Sequence, residues 1–212
     1  MHASNDPRLL KCFDGLHFSF KMLTYAYCTL HPTCARIPED NNSLVPAITQ
    51  CWSFIDALHR IREIAQAVPG LSSREPQLVL FLQRTNLAET YRHYIQHLRG
   101  ELAKTALDPF PVWGSLSWAD TADPRVSHMA VMGAQLPGTR HAGAVWDGLE
   151  GRWVSSVSLS VGGTSFHFDP IYQAVQGFRA FIVPWLISTY RPGLLVTTSV
   201  CIVSTRVQTD EA

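Results

Sequence analysis

Glu89-Thr90-Tyr91-Arg92-His93-Tyr94-Ile95-Gln96-His97-Leu98-Arg99-Gly100-Glu101 is the stretch on which the reading of the fold turns. Leu87, Tyr91, Tyr94, Ile95, Leu98 and Leu102 recur at i, i+4, i+7, i+8, i+11 and i+15, the spacing of one apolar stripe on a helix. Arg92, His93 and His97 fall on the flanks and back of that helix, outside the core it builds. A helix with one apolar stripe needs neighbours, and the chain supplies them upstream. Phe13, Leu16, Phe20, Leu23, Tyr27 and Leu30 predict a first helix that stops at His31-Pro32. Residues 31–43 are a loop, and Asn42 or Ser43 caps a second helix. Its Ile48, Cys51, Ile55, Leu58, Ile61 and Ala65 face inward, and Val68-Pro69-Gly70 ends it. Ser72-Ser73-Arg74-Glu75 has the form of a capping box and opens a third helix running to about Lys104. The expectation is an antiparallel helical bundle over residues 1–107.

The period changes after Asp108-Pro109-Phe110-Pro111. Val112–Trp118, Val126–Ala134, Ala142–Trp146, Trp153–Val161 and Ser165–Phe168 read as strands with turn residues between them, Gly162-Gly163 forming a bulge or tight turn. Asp169-Pro170 is an N-cap followed by proline at the first helical position. Ile171, Ala174, Val175, Phe178 and Ile182 mark the inner face of a helix over about 170–187, and Leu194–Val207 a last strand. The fold class is therefore α+β: an N-terminal antiparallel helical bundle, then an antiparallel β-sheet with one additional helix over 108–212. The two parts either form separate domains or pack as one body.

The 212 residues carry 17 basic and 17 acidic side chains, so no overall field favours nucleic acid or a membrane surface. RNA binding would have to come from a local patch. Hydrophobic residues make up 46% and charged residues 16%, a composition able to bury a core and to leave an apolar interface. Cys12, Cys28, Cys34, Cys51 and Cys201 are scattered, with no C-x-x-C pair, and read as free thiols of a reducing cytoplasm. Asp6 and Arg8 precede a periodic apolar stretch rather than a continuous one, so neither a signal peptide nor a membrane partner is expected.

On a continuous helix Arg92 and His97 flank the polar face, about 7.5 Å apart along the axis. Such a pair suits RNA cleavage. An imidazole with an unperturbed pKa near ~6.5 can take or give the 2′-hydroxyl proton, and a guanidinium can hold the phosphate. A twofold-related copy would bring one protomer's Arg to the other's His. Arg92-His93-Tyr94-Ile95-Gln96-His97 also matches R-x-x-x-x-H and resembles the HEPN superfamily over residues 8–104. The resemblance implies a dimerising helical bundle and a metal-independent, cofactor-free endoribonuclease or RNA-binding protein of toxin–antitoxin or other stress and defence systems. It also implies Arg92 and His97 as catalytic residues, with His93 as the polar helper, a position where family members often carry Asn or Asp. Arg99, Arg84, Arg62 and His59 would extend a phosphate-binding patch.

Two competing readings use the same residues. Glu89, His93, His97 and Glu101 stand at i, i+4, i+8 and i+12, a column that could hold a metal with a ligand from another helix, His59, Asp56 or Glu63 of the second or His17 of the first. Alternatively the column is a solvated face of a non-enzymatic module that binds another protein, in part through its β region. Trp113 and Trp118 point to opposite sides of a strand, one for the core and one for cover or for stacking on bases. Ser165, His167 and Asp169 lie close in sequence but lack the signature of a hydrolase triad.

Overall fold

A computed structural model describes residues 7–103, 111–123, 125–133 and 143–189. The chain runs through α1 (Pro7–Cys34), a 3-10 turn (Asn41–Ser43), α2 (Leu44–Ala67), α3 (Pro76–Arg84), α4 (Leu87–Gln96) and α5 (Leu98–Leu102). There follow β1 (Ser115–Ala119), β2 (Ser127–Val131), β3 (Trp146–Asp147), β4 (Arg152–Trp153), β5 (Val157–Val161), β6 (Thr164–His167) and α6 (Phe168–Thr189). This is the expected α+β architecture, helices first and an antiparallel sheet with one more helix after them. The strand expected at Leu194–Val207 lies outside the described residues, as does Cys201.

Helix boundaries depart from expectation where local chemistry competes with periodicity. α1 continues two residues past Pro32, to Cys34, where the Thr33 hydroxyl donates to the Thr29 carbonyl at 2.7 Å and the Ala35 N–H to that of His31 at 2.9 Å. At the entry to α2 the capping side chain is neither Asn42 nor Ser43. The Asp40 carboxylate accepts from the Asn42 N–H at 3.0 Å and starts the 3-10 turn that leads into the helix. The capping box at Ser72 does not form. Pro76 forces Glu75 into an extended conformation (ψ 121°), so α3 opens at the proline itself.

The four-stranded antiparallel sheet has the order β2-β1-β5-β6, and β3 pairs with β4 as a separate ribbon. The run expected as one strand over Trp153–Val161 is thus divided between β4 and β5. Register alternates two chemistries across the sheet. Leu116 faces Leu159 and Leu159 faces Phe166 on one side, while Ser117 faces Ser158 and Ser158 faces His167 on the other. The apolar side meets the helices: the Phe166 ring lies edge-on to Phe54 of α2 at 6.1 Å and to Tyr91 of α4 at 5.2 Å. Helices and sheet therefore share one core. The serine side is covered by the segment carrying Ala144 and Val145, whose Val145 is fully buried. Gly162 and Gly163, both with positive φ (55° and 78°), make the tight β5–β6 turn. Gly114 must also be glycine. Its φ is +83°, and a Cβ there would strike the Ser160 carbonyl of the neighbouring strand.

α6 closes the core by stacking Phe178 on Phe81 of α3 at 4.2 Å and Tyr172 on Tyr27 of α1 at 3.7 Å. Asp169 is not its N-cap. The helix begins one residue earlier, the Ser155 hydroxyl accepts the Asp169 N–H at 3.1 Å, and the carboxylate is released for other work. It accepts from the Ser156 N–H (2.6 Å), the Ser156 hydroxyl (2.8 Å) and the Tyr27 hydroxyl (3.0 Å). One carboxylate thereby ties α1, the sheet and α6. Cys34 and Cys51 are buried thiols outside any disulfide, Cys28 is an exposed one, and the buried Cys12 thiol donates to the Ala67 carbonyl at 3.8 Å. Among the described residues no helix is long and apolar enough to cross a membrane.

The Asp169→Ala variant strands three donors at once and is expected to lose about 2–4 kcal/mol in urea unfolding. Tyr27→Phe, which removes one of the three, is expected to lose about 1 kcal/mol.

Candidate functional site

Arg62 organises the region that the sequence marks as functional. Its side chain points inward from α2, 7% exposed overall. Nη1 donates to the Leu82 carbonyl and to the Thr85 hydroxyl, both at 2.7 Å, and Nε donates to Glu89 Oε1 at 2.9 Å. In an unbroken helix the Leu82 carbonyl would take the Asn86 N–H. Arg62 occupies it instead, and the Asn86 N–H turns to Gln83 O at a long 3.5 Å. The single helix expected over 72–104 consequently ends at Arg84 and restarts as α4 at Leu87. A second break falls at His97 (φ −108°, ψ 21°), which ends α4 and precedes the five-residue α5.

These breaks decide where the candidate residues go. Arg92 turns toward α2, where Nη1 meets Asp56 Oδ1 at 2.8 Å, while Asp56 Oδ2 accepts from Arg60 Nε at 2.7 Å. Arg92 Nε is buried with no hydrogen-bond partner. His93 and His97 are exposed, and their rings lie 4.2 Å apart. His93 lines a cleft of about 320 Å³ together with Thr90, Tyr94, Glu101 and Thr164. Arg92 lines a different one. Within one chain the structure therefore brings His93 to His97 but directs Arg92 to Asp56.

Of the expected phosphate patch, Arg84 and Arg99 are exposed, but Arg62 is buried and spent on Leu82, Thr85 and Glu89. His59 is half-buried, its Nδ1 3.4 Å from Glu89 Oε2. That separation is within reach of an ion pair, and Nδ1 makes no hydrogen bond. The expected metal column is also divided. Glu89 belongs with His59 and Arg62, while Glu101 borders the cleft of His93. Burial works to raise the Glu89 pKa, but the hydrogen bond and charge of Arg62, with a contribution from His59, outweigh it and the net shift is downward. Ser165, His167 and Asp169 form no relay either. Ser165 pairs with Ser160, His167 Nδ1 with the Ser158 hydroxyl at 2.7 Å, and Asp169 with Ser156 and Tyr27.

Periodicity passed over a large apolar concavity. Met22 of α1, Leu44, Val45, Ile48, Trp52, Ile55 and Asp56 of α2, Arg92 and Ile95 of α4, and Trp113, Met132 and Gly133 line a groove of about 780 Å³. Its lining is mostly apolar, with Arg92–Asp56 as its charged pair. The Trp52 Nε1–H, like Arg92 Nε, is buried and lacks an acceptor. Trp113 is 48% exposed at the rim, against 2% for Trp118 in the core. Beside the groove α1 shows a ridge of exposed Phe18, Met22 and Tyr25. Their i, i+4, i+7 spacing was present in the sequence as a second stripe, apart from the core stripe.

Comparison with protein-family models, with curated proteins and with solved structures returns no match to this chain.

Replacing Arg62 by Met keeps the buried stem but takes the donor from the Leu82 carbonyl and from one oxygen of Glu89, and leaves the Thr85 hydroxyl with only its bond to the Phe81 carbonyl. The expected loss in chemical denaturation is about 2–4 kcal/mol. Arg84→Met, on an exposed side chain of the same region, is expected to change stability by less than about 0.5 kcal/mol.

Proposed function

We propose that the protein is a self-associating interaction module whose working surface is the apolar groove between α2, α4 and Trp113. The observation that carries this reading is the state of Arg92. It is neutralised by Asp56 and set in the rim of an apolar groove, an arrangement suited to orienting a docked surface. The occupant is a second copy of this chain. The Phe18–Met22–Tyr25 ridge is an amphipathic helix face of the kind that seats in apolar grooves. Met22 belongs to both ridge and groove, so the two features lie side by side. A twofold axis then places each ridge in the other copy's groove, and a rim bearing one cation and one anion is complementary to itself. Tyr25 and Val45, each 70% exposed in the single chain, are large apolar side chains that such a contact would cover.

Light scattering during gel filtration is expected to give a dimer at micromolar concentration. Met22→Glu and Val45→Glu are expected to give monomers with unchanged helical circular dichroism. A monomeric wild type would assign the groove to a different molecule, and dimers surviving in both variants would place the contact elsewhere. Either result removes this reading.

A second reading keeps the chemistry that the HEPN resemblance implies, metal-independent cleavage or binding of RNA. The observation favouring it is the pair of exposed imidazoles, His93 and His97, at a cleft edged by Thr90 and Thr164. One imidazole would take the 2′-hydroxyl proton as that oxygen attacks the phosphorus, and the other would protonate the departing 5′-oxygen, leaving a 2′,3′-cyclic phosphate. Arg92 would have to reach phosphate from its pairing with Asp56, through rearrangement or from a second copy. On this reading the pure protein cleaves RNA in excess chelator, and folded His97→Ala and Arg92→Ala variants each lose at least about a hundredfold in rate. Wild-type inactivity over a broad RNA panel, or variants as active as wild type, leaves the interaction module alone.

A further inference from the structure

Glu89 and His59 have a third neighbour. Glu63 lies one turn beyond His59 on α2, and its carboxylate projects from the same side of the helix. One ligand-capable atom from each of His59, Glu63 and Glu89 lies within 4.8 Å of the other two. Nitrogen and oxygen ligands around a tetrahedral Zn²⁺, at about 2.0–2.2 Å from the ion, stand roughly 3.5 Å from one another. Side-chain rotations of about an ångström, in residues that are exposed or half-buried, therefore suffice to close on an ion.

The surroundings are those of a ligand set rather than of a saturated ion-pair network. His59 Nδ1 faces Glu89 Oε2 at 3.4 Å without a hydrogen bond between them, and with the proton on Nε2 its lone pair is available to an ion. Glu89 offers one oxygen only. Oε1 is taken by Arg62, which is itself anchored on Leu82 O and the Thr85 hydroxyl, and Oε2 is thereby turned toward His59. A carboxylate with one oxygen held in this way is oriented for coordination through the other. Two carboxylates against one guanidinium leave the cluster negative. His59 and Glu63 also border a cleft of about 500 Å³ between α1 and α2, which Asp14 shares, so an ion has an entry path and room for water ligands.

We propose that His59, Glu63 and Glu89 form a binding site for a divalent transition-metal ion of the zinc type, with its remaining positions open to the α1–α2 cleft. The site joins α2 to α4 and is separate from the exposed His93–His97 pair.

The test is calorimetric titration of the full chain with Zn²⁺ at neutral pH, paired with visible spectra of the protein with Co²⁺. One ion per chain with micromolar affinity and a Co²⁺ spectrum of low coordination number are expected. Glu63→Gln, at an exposed position that the fold does not need, is expected to weaken binding at least about tenfold, as is His59→Asn. The double variant His93→Ala/His97→Ala is expected to bind as wild type does. The proposal is overturned if Glu63→Gln keeps wild-type affinity. It is equally overturned if the loss appears only in the His93/His97 double variant, or if no saturable binding is seen below millimolar Zn²⁺.

Discussion

A guanidinium buried inside the bundle sets the layout of this protein. Arg62 cannot leave its charge unpaired at 7% exposure, because a desolvated cation without partners costs several kcal/mol. Its partners are a backbone carbonyl, a hydroxyl and a carboxylate, and each is a structural decision. Capturing the Leu82 carbonyl ends α3. Holding the Thr85 hydroxyl seats the corner, and holding Glu89 fixes the rotation of α4 against α2. Once that rotation is fixed, Tyr91 enters the core, Arg92 meets Asp56, and His93 is turned outward.

The helical stripes of α1 and α2 were legible because burial there follows period alone, and β1, β5 and β6 because apolar residues alternate with serine or histidine, although in β1 and β5 both faces are covered. Leu16, Phe20, Leu23 and Leu30, and Leu116, Leu159 and Phe166, are all buried. Legibility failed where a side chain competes for a backbone group. Nothing in the spacing around residue 82 announces that an arginine 20 positions earlier will take a carbonyl there. The unbroken wheel drawn through Glu89, His93, His97 and Glu101 therefore placed on one column residues that the structure divides between two flanks. The same blindness made Arg62 look like one of a set of exposed cations, since an arginine near Asp56 and Glu63 has the local pattern of a solvated face.

α4 thus separates two environments. Arg92 and Ile95 look into an apolar groove lined by Trp52 and Trp113, while His93 borders a cleft with threonines and Glu101. Glu89, one turn before His93, looks toward α2. A short amphipathic helix with three differently furnished flanks gives each polar residue its own company, so residues adjacent in a motif need not act together. What the sequence did carry of the groove was a second stripe on α1, visible only when the residues not needed by the core are asked what they cover.

The carboxylate of Asp169 joins residues 142 positions apart, and that separation has a consequence in time. Tyr27 and Ser156 wait for a partner that the ribosome delivers after most of the described helices and strands. Until α6 is made, Phe81 lacks Phe178, Tyr27 lacks Tyr172, and the apolar side of α1 and α3 stays open to water. Contacts so distant in the chain close slowly and are formed together. The early helices can assemble on the ribosome, but the completed core is a late and cooperative event. During that interval the nascent bundle is the species most exposed to aggregation and most in need of chaperone cover.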